Sequence, residues 1–226
     1  MRQVDETQQT SHAREEKPQA PMAPRWAAAV AILAFGILYA ALPDRVTIGP
    51  NWLLLAFEVV LLIPLLLSGI AQRPLRNRTI RTLIFVLLAG VTAALIGGII
   101  LFVITLPNRG ANEAKDLLRT AALLWISNVL VFAFWYWEID GGGPRKRLEH
   151  GHQAADFMFP QQVNGNDGSW APHFVDYLFV GFTGATALSP TDTYPLTRRA
   201  KGLMMVEALN AMVILAIIVG RIVNIL

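Results

Sequence analysis

Five long apolar segments, at residues 26–42, 52–71, 82–106, 120–137 and 202–220, constrain this chain more than any other feature. Each approaches the roughly 20 residues that cross a hydrocarbon core as a helix. Only 15% of the residues are charged, whereas a soluble domain carries about 25%, and 54% are hydrophobic. A backbone in lipid must satisfy its polar groups internally, which leaves helices as the economical solution for such segments. The first segment is short, but it sits between Arg25 and Asp44-Arg45 as a spanning helix does. Trp26, Trp52 and Trp135-Tyr136-Trp137 lie at segment ends, where amphipathic rings prefer the headgroup level. Pro64 is expected to kink the second helix. Gly90, Ala94 and Gly98 recur every four residues in the third, a spacing that lets helices approach closely.

Several function classes fall away early. The chain has no cysteine, so disulfides, thiolate metal sites and cysteine nucleophiles are excluded. Its net charge of +3 is carried by arginines at segment boundaries, with no basic patch interleaved with aromatics, so nucleic acid is not an expected partner. Residues 1–25 are polar and mixed in charge, a composition that reads as a disordered tail and not as a signal peptide. No Gly-rich phosphate loop, zincin helix or nucleophile elbow is present. Ser189 precedes a proline and has no evident histidine base. His150 and His152, with Glu149 and Asp156 nearby, use metal-ligand residue types, but a solvated loop explains them better. The chain is not expected to be an enzyme or to hold a cofactor or metal.

Residues 140–169 form the one long hydrophilic connection, built from Gly141-Gly142-Gly143-Pro144, Arg145-Lys146-Arg147 and Asn164-Gly165-Asn166-Asp167-Gly168. An interrupted apolar stretch follows, with Pro172 at a plausible helix start, running into Ser189-Pro190-Thr191-Asp192. A helix from Pro172 to Thr186 reaches about 22 Å, too short to cross. A short helix followed by a proline-broken loop reads as a re-entrant element.

Long helix, hydrophilic turret, short helix, tight polar loop and long helix is an order that resembles the pore domain of the potassium-channel superfamily, from Leu123 to Leu226. Trp135-Tyr136-Trp137-Glu138 resembles the aromatic and acidic end of that family's outer helix, and the stretch from Phe174 to Thr183 resembles its pore helix. Thr186 then falls on the first filter-region threonine, Asp192 on the final aspartate, Pro195 on the proline and Lys201 near the basic residue that opens the inner helix. Ala187, Leu188, Ser189, Pro190 and Thr191 stand where the family has Thr, Val, Gly, Tyr and Gly. A filter replaces the water shell of the ion with backbone carbonyls and a threonine hydroxyl. Ser189 and Thr191 adopt the glycine conformations only at a cost, Pro190 fixes its own φ, and Ala187 offers no hydroxyl. The resemblance therefore implies a channel-like fold and a tetramer, without ordinary potassium selectivity. The chain is also similar to small bacterial integral membrane proteins with an equally altered loop, a likeness that supplies a fold and no activity.

In the last segment Leu203, Glu207, Asn210, Ile214, Ile217, Arg221 and Asn224 share one helical face. Glu207, Asn210 and Ile214 are candidates to line a pore or central cavity; the competing role is to seal a helix contact by hydrogen bonding. Ala208, Met212, Ala216 and Gly220 form a neighbouring stripe suited to close packing. Glu58 is an intramembrane acid, a functional candidate by default. Arg145-Lys146-Arg147 and Arg198-Arg199 with Lys201 read as interfacial anchors. Two orientation arguments conflict. An internal amino terminus places 14 Lys and Arg inside and 5 outside, as the charge rule prefers, whereas the resemblance places the re-entrant loop, and with it the amino terminus, outside.

The expected fold is thus an all-α, multi-pass helical bundle of a bacterial inner membrane, with about five spanning helices and one re-entrant helix. After the tail, residues 26–118 form a three-helix region. Residues 119–226 form a pore unit: outer helix, turret 140–169, re-entrant element 172–195 and inner helix 198–226. The expected function is an oligomeric ion-channel-like protein with Thr186 to Asp192 at its constriction. The alternatives are a non-conducting scaffold or partner-binding bundle and, more weakly, a small transporter using Glu58 or Glu207. Lipid, further copies of the chain and ions are the expected partners.

Overall fold

The computed structural model describes residues 26–70, 77–106, 113–166, 169–186 and 192–225. The expected amino-terminal tail and five of the seven filter candidates, Ala187 to Thr191, lie outside the described residues. The fold is mostly helical: α1 (Trp26–Ala40), α2 (Trp52–Ile70), α3 (Asn77–Thr105), α4 (Ala114–Ile139), α5 (Pro144–Glu149), α6 (Phe174–Thr186) and α7 (Arg198–Ile225), with two-residue strands β1 (Phe157–Met158) and β2 (Tyr194–Pro195). Among the described residues three helices, α3, α4 and α7, are long and apolar enough to cross a membrane. α2 runs through Pro64 as one helix.

α4 is the hub of the bundle. It packs on α1 and α3 on one side and on α6 and α7 on the other, while α2 packs on α1 and α3. From Ser127 to Ile139 nearly every α4 side chain is buried, including Phe132, Phe134, Tyr136 and Trp137. A helix apolar all round is a core helix, and here it carries the others. The small-residue positions of α3 do what their spacing predicts. A methyl on Gly90 would meet Phe57 of α2 at 2.6 Å, and one on Gly98 would meet the Val46 carbonyl at 3.1 Å.

Residues 140–166 depart from the expected solvated turret. They form a packed, hydrogen-bonded layer containing α5, β1 and a 3-10 turn at Pro160–Gln162. The reason is local geometry. Gly141, Gly142 and Gly143 all have positive φ (57°, 80° and 98°), which reverses the chain directly behind α4 and aims α5 back at it.

The placement of α6 follows from that layer. β1, which precedes α6, pairs antiparallel with β2, which follows it, in the register Phe157 with Pro195 and Met158 with Tyr194. The chain therefore leaves and regains the same end of the bundle, the end where α4 stops and α7 starts. α6 itself begins at Phe174, two residues after Pro172. Asp176 accepts the His173 N–H at 2.6 Å, half of a capping box.

Candidate functional site

Two buried polar clusters organise the α4, α6 and α7 unit. The first lies at the strand-bearing end. Asp140, just past α4, accepts the N–H groups of Asp156 and Phe157 at 2.9 and 3.1 Å through Oδ1, and the Tyr177 hydroxyl of α6 at 2.5 Å through Oδ2. Asp156 in turn accepts the Gly141 N–H at 3.0 Å, the Thr197 hydroxyl at 2.6 Å, and both Nε and Nη2 of Arg199 at 2.5 and 2.6 Å. Arg147 reaches inward from α5. Its Nη1 donates to the Trp137 and Asp140 carbonyls, both at 2.7 Å, and its guanidinium stacks over Trp137 and Tyr177 at 4.8 and 5.2 Å from their ring centres. Arg147 thereby serves carbonyls that the end of α4 leaves without helical partners. The expectation that Arg147 is an interfacial lipid anchor is corrected here, because Arg147 is buried; Arg199 is exposed and paired with buried Asp156.

Burial alone would raise the Asp156 carboxyl. The hydrogen bonds from Arg199 and Thr197, with the Arg199 charge, outweigh it and hold the group below the usual carboxylate range. A depressed carboxyl contributes stability that is fully present above its unfolded value, near ~3.9, and is lost as pH falls through its lower folded value. The melting temperature in detergent is therefore expected to drop as pH is taken from 6 towards 3. Asp156→Asn should lower the pH 6 value and flatten that drop. An equally steep acid limb in the variant would assign it to other groups.

The second cluster lies deeper. Glu207 of α7 is fully buried, and its Oε2 accepts the Tyr136 hydroxyl. Its backbone carbonyl accepts Asn128 Nδ2 at 3.1 Å, and Asn210 Nδ2 donates to Asn128 Oδ1 at 3.1 Å. Gly181 and Gly184 of α6 provide the space. A methyl on Gly181 would stand 3.1 Å from both Glu207 Oε1 and the Val129 carbonyl, and one on Gly184 would stand 2.9 Å from Glu207 Oε2. Glu207 Oε1 has no hydrogen-bond partner among the described residues. Ile214 is also fully buried, and Asn210 is half-buried. In the single chain these three candidates face the α4 and α6 side, the sealing position, and the outward stripe of Met205, Leu209, Met212 and Val219 is apolar.

The remaining candidates separate from these clusters. Thr186 ends α6 and its hydroxyl donates to the Phe182 and Thr183 carbonyls at 2.9 and 3.2 Å. Asp192 is exposed where the described chain resumes. Glu58 is fully buried on α2, facing Gly36 of α1. His150 is exposed, with Nδ1 2.7 Å from the Lys146 carbonyl, whereas His152 is buried with φ 54°, so only His152 departs from the expected solvated loop. Among the described residues no group of His, Cys, Asp and Glu is placed to hold a metal.

Sequence reasoning missed Asn128, Tyr136, Asp140, Asp156 and Tyr177 as members of these clusters. The one readable signal was Ser127-Asn128, two polar residues inside an apolar run. Comparison with family models, curated proteins and solved structures returns no match.

Proposed function

We propose that the chain is a multi-pass protein of a bacterial inner membrane, spanning it with α1, α2, α3, α4 and α7. In this reading α6 is re-entrant, and the α4–α6–α7 unit acts in an oligomer, a tetramer by resemblance, as an ion-channel-like pore unit with a non-standard filter loop. The observation that carries this reading is the β1–β2 pairing, which brackets α6 with strands at one end of the bundle. α6 descends about 20 Å alongside α4, until the Ala185 carbonyl meets Trp125 Nε1 at 3.4 Å. The eight residue-to-residue steps from Thr186 to Tyr194, at about 3.3–3.6 Å each, are long enough to climb back. A single unit encloses no pathway, so conduction requires several copies. Their contact would use the apolar outward stripe of α7.

One observation favours a second reading. Glu207 and Asn210 of α7 are spent inside the chain, and the exposed face formed by Met205, Leu209, Met212 and Val219 is apolar, as suits a non-conducting scaffold or partner-binding bundle. Saturable, pH-dependent uptake lost in Glu58→Gln or Glu207→Gln would point instead to a transporter.

The absence of cysteine makes the test direct. Thr186→Cys and Asp192→Cys in oriented vesicles are both expected to react with a membrane-impermeant maleimide from the same side. Reaction from opposite sides would sink the re-entrant helix. Ion flux into liposomes is expected above that of empty vesicles and is expected to fall in Asp192→Asn. Flux equal to empty vesicles, or a strictly monomeric state in nanodiscs, would leave the scaffold.

A further inference from the structure

We propose that Glu58 is a proton-binding carboxyl within the membrane region, loaded from the Trp52 end of α2. The inference is independent of the pore reading, which concerns the other half of the chain. Glu58 is fully buried, and neither of its side-chain oxygens has a well-aligned hydrogen-bond partner among the described residues. It lies against the Gly36 backbone of α1 in a fitted notch. Any side chain at position 36 would overlap Glu58 Oε2 and stand 2.8 Å from Leu55 Cδ1. Glycine in mid-helix weakens the helix that carries it. Here it makes room for a carboxyl that an apolar contact would not need.

The surroundings select the ligand. α1 carries no charged residue, and the hydroxyl of its one titratable side chain, Tyr39, accepts the Ile48 N–H at 2.8 Å. α3 meets α2 through Gly90 against Phe57, the neighbour of Glu58. The charged residues of α3 are Arg78 and Arg81, both in its first turns, and Arg81 donates to the Gly142 carbonyl at 3.0 Å. α2 has no other titratable group. An ionised carboxylate in such a place has no counter-charge among the described residues, which is costly away from water. A metal cation would need a shell of several oxygens, and one carboxyl supplies two. A proton needs one. The route is short: Trp52 is exposed at the head of α2, and Glu58 lies six residues, about 9 Å, further along.

The test uses dicyclohexylcarbodiimide on the full chain in liposomes, read by mass spectrometry of the peptide containing Glu58. A protonated carboxyl adds across one C=N bond: its oxygen bonds the central carbon, its proton passes to nitrogen, and the adduct rearranges to a stable N-acylurea with nothing released. The expected result is one intact carbodiimide on Glu58, with a rate that falls about tenfold per pH unit once the carboxyl is charged. That rate should be unchanged by sodium, and a water-soluble carbodiimide should not label the site. In Gly36→Ala the carboxyl is displaced from its notch, and the pH profile is expected to shift towards that of a hydrated acid. No modification of Glu58 at any pH, a rate independent of pH, or protection by sodium would each overturn the proposal. The parent protein alone decides it, so failure of Gly36→Ala to fold does not matter.

Discussion

Replacing Arg147 by alanine is expected to cost about 3–5 kcal/mol, a large part of the stability of a domain this size, and to lower the melting temperature in detergent accordingly. The side chain is buried at a helix end where its Nη1 donates to both the Trp137 and Asp140 carbonyls, and its guanidinium is stacked between two aromatic faces. Truncation takes the Nη1 donor from the Trp137 carbonyl, leaves the Asp140 carbonyl with the Gly143 N–H at 2.9 Å alone, and removes the cation beside the Asp140 carboxyl, whose remaining partners are the Tyr177 hydroxyl and two backbone N–H groups. Arg147→Lys keeps the charge but loses the planar fork and the stacking, so it should recover only part of the loss. Arg145→Ala is the control from the same turn. Its partner Glu149 lies at 3.3 Å and both are exposed, a pair worth about 0.3–0.5 kcal/mol. If Arg147→Ala and Arg145→Ala melt together, Arg147 does not hold the end of α4. A specific loss in the first should also release α6, because Tyr177 and Asp140 share the same cluster, and Thr186→Cys should then change its accessibility.

Those two arginines show where sequence reading stops. Residues 145–147 are Arg-Lys-Arg, and composition treats them alike. Only the three positive-φ glycines before them decide that one turn of helix points Arg147 inward while Arg145 stays out. The same layer weakens the charge tally used for orientation, because Arg147 and Arg199 are paired within the chain. The apolar segments were readable because lipid-compatible helices need long uninterrupted runs, and α3 and α4 exceed those runs only by polar first turns. The shared face of Glu207, Asn210 and Ile214 was readable as periodicity. Which neighbour that face meets was not, because a helix's period carries no information about the helix beside it. Asn128, the partner that ties Asn210 and the Glu207 backbone to α4, lies some 80 positions earlier.

The contact of α6 with α4 and α7 gives the second large effect. Gly181→Val is expected to cost about 3 kcal/mol, the upper part of the usual overpacking range. Its Cβ would stand 3.1 Å from the Val129 carbonyl and 3.6 Å from the Ala133 nitrogen, both backbone atoms of α4. No rotamer relieves such a clash, so α6 must move away from α4, which breaks the bond from the Trp125 indole of α4 to the Ala185 carbonyl. Gly184→Ala meets a different obstacle. Its methyl would stand 2.9, 3.5 and 3.9 Å from Glu207 Oε2, Cδ and Oε1, all atoms of one side chain. Glu207→Ala clears that space, at the separate cost of leaving the Tyr136 hydroxyl without its acceptor. The two variants are therefore expected to be non-additive by about 1–2 kcal/mol, within the range for residues in contact, whereas Glu207→Ala should rescue Gly181→Val only in part, because it clears the Oε1 contact at 3.1 Å and leaves the Val129 carbonyl in place. Melting of the three single and two double variants by near-ultraviolet circular dichroism measures both couplings. Strict additivity of Gly184→Ala with Glu207→Ala would mean that the acid does not pack on α6. The asymmetry bears on mechanism: backbone contact fixes α6 to α4, while an adaptable carboxyl joins it to α7, so any movement that alters the loop after Thr186 is expected at the α6–α7 contact.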